Sequence, residues 1–367
     1  MRNKILFATH NSEDDTDGVW KKIKSQVSAF RELGASVDFF YTKDKKIILD
    51  DGLTKKIIPC NIKYKYLYYI FLMKYIEKEN KHYDLAYIRK PHGGIFVIFL
   101  PFLLKKLQYK NTYIVIEIPT YPYEKETASI RIKILNVIFD MTLPFFRNKI
   151  NEISYMGDEV ERIWNVKATR ISNGVDIQSL SLIDEKKNVS SDFIIVGVAN
   201  LEFWHGYDRV IEGINRYGGN ENVVFHIVGY SQPEISRIKN LVLKYNIEDK
   251  VIFHGKKSGE ELELVLKNAD VCVDALGRHR SGNNSNSSIK SKEYTARGLP
   301  FIKSHIDYAF GQEEFILQIP ADDSPINIDS IIKWRKNLPN GFSIKERMFA
   351  LEKLTWSEQL KFFVEDK

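Results

Sequence analysis

Short apolar runs alternate along the chain with stretches whose apolar residues recur every three or four positions, and the alternation happens twice. Residues 4–9 are nearly all apolar, which predicts a strand covered on both faces. Residues 10–18 are polar. Over 19–33, Val19, Ile23, Val27 and Phe30 fall on one helical face, and Gly34 ends the helix. Strands predicted over 36–41, 85–89, 113–118 and 152–154 alternate with helices over 66–79, 95–107 and 130–146. A polar stretch opening on Asn173-Gly174-Val175-Asp176 and running to 192 then breaks the pattern. A second series follows, with strands over 193–198, 223–228, 251–253, 271–275 and 300–303. Its helices are predicted over 207–217, 233–245, 259–268 and 289–297, with closing helices over 328–338 and 344–363. Strands alternating with helices predict parallel sheets. The expected fold class is α/β, with two Rossmann-like domains over 1–172 and 176–341.

A length of 367 residues accommodates two domains, and 44% hydrophobic with 28% charged residues is the make-up of an ordinary globular protein. The net charge of +6 is uneven. Residues 1–172 hold 29 Lys and Arg against 20 Asp and Glu, a net of +9, which leaves −3 for the remainder. Lys43, Lys45, Lys46, Lys55 and Lys56 lead into Lys63 and Lys65, interleaved with Tyr64, Tyr66, Tyr68 and Tyr69. Such a segment suits an anionic membrane surface or a phosphorylated acceptor; the alternative is a solvated lysine-rich surface. No nucleic-acid-binding signature occurs, so nucleic acid is not an expected partner. Cys60 and Cys272 have no metal-ligand or disulfide-framework spacing, and neither a secretory leader nor a spanning segment is predicted. A cytoplasmic protein is expected, with peripheral contact at the inner face of the plasma membrane compatible with the basic half.

The segment richest in chemistry is 283–302. Small polar residues through Ser288 precede a helix predicted to begin at Ile289, and exposed backbone N–H groups at a helix start attract a diphosphate. Lys290 in the first turn opposes the helix dipole unless an anion sits there. Glu293, three residues on, shares its face and can accept from two ribose hydroxyls; the alternative is a plain Lys290–Glu293 pair. The segment Lys290–Ile302 resembles the donor-site helix of GT-B glycosyltransferases, family 4 in particular, in which a lysine, two residues, Glu-Tyr, small residues and Gly-x-Pro recur. The first of the family's two glutamates would fall at Ser285, which is not acidic. Val198–Arg209 resembles the family loop carrying a basic pair that contacts the diphosphate, with Asn200 and His205-Gly206 standing where Arg and Lys-Gly are expected. Asn173–Asp176 resembles the interdomain Asn-Gly-Val-Asp. The segments ending in Gly229 and in His254-Gly255 resemble its strand–glycine elements, the latter near the nucleobase.

The resemblance, carried over about 171–303, implies a metal-independent, retaining glycosyltransferase with a GT-B fold. The substrate would be a nucleotide-diphosphate sugar, with no cofactor. The acceptor would be a hydroxyl of a glycan or lipid-linked glycan in capsule, O-antigen or exopolysaccharide synthesis. The last helix, about 342–367, would return to the first domain. His205, Arg280 and Lys290 are then the residues expected to carry charge on the leaving diphosphate, His205 when protonated. Gly18, Asn200, Arg209, Gly229, His254, Gly255, Ser288, Ile289 and Glu293 are expected to bind the donor. Arg89, His92, Thr120 and Tyr121, on loops after strands, are expected to bind the acceptor. Two other readings stay open: a nucleotide-sugar 2-epimerase of the same fold, and a non-catalytic nucleotide-sugar-binding subunit, which the missing acid at Ser285 favours. Asp15-Thr16-Asp17 spells a metal motif but lies in a polar loop, so no metal site is expected, and neither dinucleotide nor P-loop glycine signatures occur.

Overall fold

The computed structural model describes residues 1–14, 17–60, 67–91, 96–122, 130–185, 192–282 and 284–365. The chain divides into two compact units, Met1–Ser172 with Trp356–Lys367, and Asn173–Thr355.

In the first unit, β1 (Lys4–Ser12), α1 (Gly18–Glu32), β2 (Ser36–Lys43), β3 (Lys46–Asp50), β4 (Lys55–Ile58), α2 (Tyr68–Lys78), β5 (Leu85–Arg89), α3 (Phe96–Tyr109), β6 (Tyr113–Tyr121), α4 (Ile130–Thr142), β7 (Glu152–Gly157), β8 (Arg162–Ile163) and β9 (Val166–Arg170) follow in order. They build one nine-stranded sheet, β4-β3-β2-β1-β5-β6-β7-β9-β8. The middle six strands are parallel, while β3 and β4 on one flank and β8 on the other pair antiparallel. These added strands were not legible in the alternation. β3 and β8 are each set by a two-residue turn with both residues at positive φ, Asp44-Lys45 at 48° and 61° and Trp164-Asn165 at 55° and 65°, the geometry that matches strand twist. The lysine-rich segment is thus in part a hairpin. Lys43 and Lys55 pair with Glu13 and Lys56 with Asp51, and Tyr68 and Tyr69 are fully buried in the core. Lys63, Tyr64, Lys65 and Tyr66 lie outside the described residues.

The second unit holds β10 (Asp192–Val198), α5 (Tyr207–Arg216), β11 (Asn222–Val228), α6 (Glu234–Tyr245), β12 (Val251–Gly255), α7 (Gly259–Leu266), β13 (Val271–Val273), α8 (Ile289–Arg297), β14 (Phe301–Lys303), β15 (Ile316–Gln318), α9 (Ile328–Lys336) and α10 (Phe342–Phe349). Its six-stranded sheet is wholly parallel, in the order β12-β11-β10-β13-β14-β15. Strands added first to one side of β10 and then to the other create a switch point between β10 and β13, the place in an open α/β sheet where ligands are generally bound, at the carboxyl ends.

The closing segment corrects the expectation for 342–367. It does not return as one piece. After α10, a single π-helical stretch Ala350–Leu354 ends at Thr355, whose φ of −71° and ψ of 152° are extended. Ala350 and Leu354 pack in the core of the second unit with Val175 and Phe310. Only the last helix, α11 (Trp356–Val364), buries Trp356, Leu360 and Phe363 in the first unit, against Phe7, Phe30 and Tyr87. No helix among the described residues is long and apolar enough to cross a membrane.

Candidate functional site

At the carboxyl ends of β10 and β13 two loops are laced together. The backbone of Leu276 donates to the His205 carbonyl at 2.9 Å and that of Gly277 to the Trp204 carbonyl at 3.1 Å. Gly206 permits this approach: it sits at φ 66°, and a Cβ there would lie 2.8 Å from the Gly277 nitrogen. The lacing brings His205, Asp274 and Lys290 into one electrostatic neighbourhood. Asp274, which sequence reasoning did not single out, follows β13 directly and is 0% exposed. The Lys290 ammonium lies 3.1 Å from one carboxylate oxygen, while Ser291 donates its hydroxyl to the other and His305 stands 3.7 Å away. Burial opposes the charge on Asp274, yet Lys290 and His305 outweigh it and hold the carboxyl far below the usual carboxylate range. The only sequence signal was a lone Asp closing an apolar strand.

Glu293 sits 3.7 Å from Arg297 with its side chain 41% exposed. The alternative of a plain Lys290–Glu293 pair gives way to a different one: Lys290 turns back to Asp274 at the strand end, because a buried carboxylate without a cation costs far more than an exposed one. Ser288 is buried at the N-cap of α8, its N–H donating to Asp307 at 3.1 Å, and Ile289 is exposed. Asn173, from the Asn-Gly-Val-Asp segment, ties the same loop down, its N–H donating to the Ser287 hydroxyl at 2.8 Å and its amide to the Ser287 carbonyl at 2.7 Å.

His205 overturns the expectation of a protonated ring. The Glu202 backbone N–H donates to its Nδ1 at 2.9 Å, so Nδ1 is the acceptor and the proton of the neutral ring sits on Nε2. Burial, and then the Lys290 charge, pull its pKa down from 6.5 to about 3. The ring is a neutral donor throughout the physiological range. We expect the activity lost in His205→Ala to be the same fraction at pH 6 and pH 8; a pH–rate profile in which the defect grows towards pH 6 would show that the ring does take a proton.

Arg280 and Arg209 also depart from expectation. Arg280 grips Asp208 with two hydrogen bonds of 2.9 Å, donates to Asp323 at 2.7 Å and reaches the Phe203 carbonyl at 3.0 Å. Its guanidinium braces the 203–208 loop instead of standing open to a phosphate. Arg209 is 1% exposed and spends its donors on the carbonyls of Leu276, Pro320 and Ser324 and on Asp322. It is a structural arginine, and its helical register, which points it inward from α5, is why the motif position misled. Asn200 is exposed after β10.

On the other side of β10, Gly229 has φ 128°, and a Cβ there would sit 1.6 Å from the Ala199 carbonyl oxygen. Its N–H donates to the Gly255 carbonyl at 2.7 Å. No side chain can occupy this junction. His254 pairs with His226 through ring nitrogens 3.2 Å apart, and burial followed by the Lys257 charge lowers its pKa.

The acceptor candidates lie in the first unit. Arg89 is 6% exposed and donates to Glu117 at 3.1 Å. Glu117 also accepts from the Gln26 amide at 3.0 Å and lies 3.7 Å from Lys22. Burial works against its charge, but these partners hold its pKa below the ordinary value. Arg89 is thus engaged in a buried pair, a correction to its reading as an anion-binding loop residue. Thr120 and Tyr121 belong to β6, which runs three residues past the predicted end, and the Tyr121 ring packs edge-on against Tyr155. Gly18 opens α1 with open space around it, behind Asp17, which caps the helix by accepting from Val19. His92 lies outside the described residues, as do Asp15 and Thr16. Among the described residues no cluster of His, Cys, Asp and Glu could hold a metal ion.

Residues 181–307 match the model of Glycosyl transferases group 1. No curated protein matches the chain significantly. Among solved structures, it is similar to a glycosyltransferase from Rickettsia africae ESF-5, at 11% identity and a TM-score of 0.65 over 99% of this chain and 97% of that one. It is similar to the catalytic domain of starch synthase IV from Arabidopsis thaliana bound to ADP and acarbose, at 11% identity and a TM-score of 0.62 over 99% and 98%. It is also similar to HepE of Anabaena in complex with UDP, at 10% identity and a TM-score of 0.60 over 99% of each chain. The two parallel-sheet units are those of the GT-B glycosyltransferase fold.

Proposed function

We propose that the protein is a glycosyltransferase that moves a sugar from a nucleotide-diphosphate donor to a hydroxyl of a glycan or lipid-linked glycan in surface polysaccharide assembly, with retention of configuration. The observation that carries this reading is Lys290 in the first turn of α8, held against buried Asp274 beside a neutral His205 at the switch point of the second sheet. The match over 181–307, which spans this site, supports it. The chemical demand is to stabilise negative charge on the departing nucleoside diphosphate. A fixed ammonium, a histidine N–H and the N-terminal amides of α8 are preorganised donors of that kind. In this proposal they take the role that a divalent ion plays elsewhere, so turnover is expected to survive EDTA. Glu293, half-exposed on the same helix, would accept from the ribose hydroxyls. The Gly229–Gly255 junction leaves backbone close to the base.

The test is release of nucleoside diphosphate from a panel of UDP-, GDP-, ADP- and dTDP-sugars, with and without saccharide acceptors, with the anomeric outcome read by NMR. Acceptor-stimulated release with one nucleotide is expected. Binding of a nucleotide sugar with no release under any condition would leave a binding subunit instead. Glu293→Ala is expected to weaken binding of that nucleotide by about 1–3 kcal/mol, the loss of hydrogen bonds to a charged group, with its melting temperature unchanged. Unaltered affinity by calorimetry would reduce Glu293 to a surface partner of Arg297.

A further inference from the structure

The first unit carries an apolar surface that its own core does not use. α4 buries Phe139 and is followed by the buried Leu143 and Phe146, so one side of this segment faces inward. Yet Ile134, Val137, Ile138 and Met141 recur at helical spacing on the other side and continue into Phe145, and all are exposed, Met141 and Phe145 at 71%. A surface helix normally turns charged residues outward; among the described side chains of α4, Asp140 is the only charged one. On α3, Ile98 and Phe102 are more than half exposed in the same way.

Positive charge follows the stripe: Arg147 and Lys149 come directly after Phe145 and Phe146. Arg147 also lines a hollow of about 340 Å³ together with Arg162, Lys167, Asn151 and Trp164. Lys167 is matched by Glu152 at 2.8 Å, so the surplus positive charge of the hollow belongs to the two arginines. Trp164, which also lines the hollow, packs on Phe139, ring centroids 5.0 Å apart. The hollow therefore opens where the apolar stripe ends, and the two are built on the same buried ring.

We propose that this face is a docking surface for an anionic phospholipid bilayer: α4 lies in the interface with Val137, Ile138, Met141 and Phe145 among the acyl chains, and Arg147 with Arg162 receives a lipid phosphate. Charge complementarity selects this occupant. A helix with an exposed apolar stripe that runs into a basic hollow fits the boundary between acyl chains and phosphate headgroups, whereas a purely apolar protein partner would leave Arg147 and Arg162 without counter-charge. The inference names the partner of the first unit only. It stands apart from the transfer reaction, because nucleotide binding by the second unit is measured separately.

The experiment is co-sedimentation of the full chain with vesicles of phosphatidylcholine alone or with 30% phosphatidylglycerol, alongside calorimetry with UDP and light scattering for oligomeric state. Binding to the anionic vesicles is expected. A Val137→Glu/Met141→Glu variant and an Arg147→Glu/Arg162→Glu variant should each lower it roughly tenfold or more, since each basic residue near the surface favours adsorption and its reversal opposes it. All four side chains are on the surface, so folding should be unaffected, as checked by thermal melts. Wild-type-like sedimentation of both variants would overturn the proposal. So would equal binding to neutral vesicles, full competition by millimolar glycerol phosphate, or a dimer that the Val137→Glu/Met141→Glu variant splits without loss of vesicle binding. A chain that binds vesicles but no nucleotide refutes the transferase reading alone.

Discussion

Lys290→Ala is expected to lower sugar transfer by about 100- to 1000-fold, the range seen when one preorganised donor to a developing anion is removed. Two effects are entangled in that variant. The ammonium faces the proposed diphosphate, and it also neutralises the buried Asp274, 3.1 Å away. Taking the lysine away leaves a buried carboxylate supported by the Ser291 hydroxyl and by His305, whose own pKa is lowered, by burial first. An uncompensated buried charge costs about 3–5 kcal/mol, so the variant should melt lower as well as turn over slowly. Lys290→Ala/Asp274→Asn separates the two. Asparagine keeps the shape without the charge, so the double variant should recover most of the lost melting temperature and none of the lost rate. Recovery of the rate would make Lys290 a structural counter-ion and remove it from the proposed phosphate site.

That pairing also marks how far the sequence could be read. The two parallel-sheet units followed from periodicity, since a strand buried on both faces and a helix with one apolar face write different patterns. Two of the β hairpins did not show, because Asp44-Lys45 and Trp164-Asn165 form tight positive-φ turns without the glycine that usually announces them. The end of the chain misled for a similar reason. The stretch 344–363 keeps helical spacing throughout, and only the extended Thr355 sends Leu354 to one core and Trp356 to the other. At the site, motif position put His205 after β10 and Lys290 and Glu293 on the helix after β13. It did not show which charges were already spent. Arg209, Arg280 and Arg89 each have carboxylate or carbonyl partners far away in sequence, and a linear motif carries no information about a partner 28 to 115 residues distant. The surplus of apolar residues in α4 was visible as composition but not as exposure, which depends on the face that meets the sheet.

A buried lysine was invisible in the same way. Lys292 reads as one more polar position on α8, yet it is 0% exposed. Its ammonium pairs with Asp307, donates to the Ser287 hydroxyl at 3.1 Å and stands 5.2 Å from the centre of the Phe310 ring. Burial lowers its pKa in spite of Asp307 and Asp274. Asp307 in turn accepts from the N–H groups of Ser288 and Ala309, each at 3.1 Å, so it pins the start of α8 to the loop after β14. Lys292→Met fills similar space but leaves the Asp307 carboxylate buried without its cation. The expected cost is about 3–5 kcal/mol. In a unit of this size each kcal/mol moves the midpoint by roughly 2–4 °C, so the transition of the second unit should fall by about 6–20 °C. Calorimetry is the suitable measurement, because two units need not unfold as one. Lys292→Met/Asp307→Asn should regain most of the loss, since asparagine can still accept from a backbone N–H while carrying no charge. The α8 N-terminus should then be restored enough for nucleotide to bind. If Lys292→Met melts within a degree or two of the wild type, the pair contributes nothing beyond packing, and the start of α8 is held by the Asn173–Ser287 bonds instead.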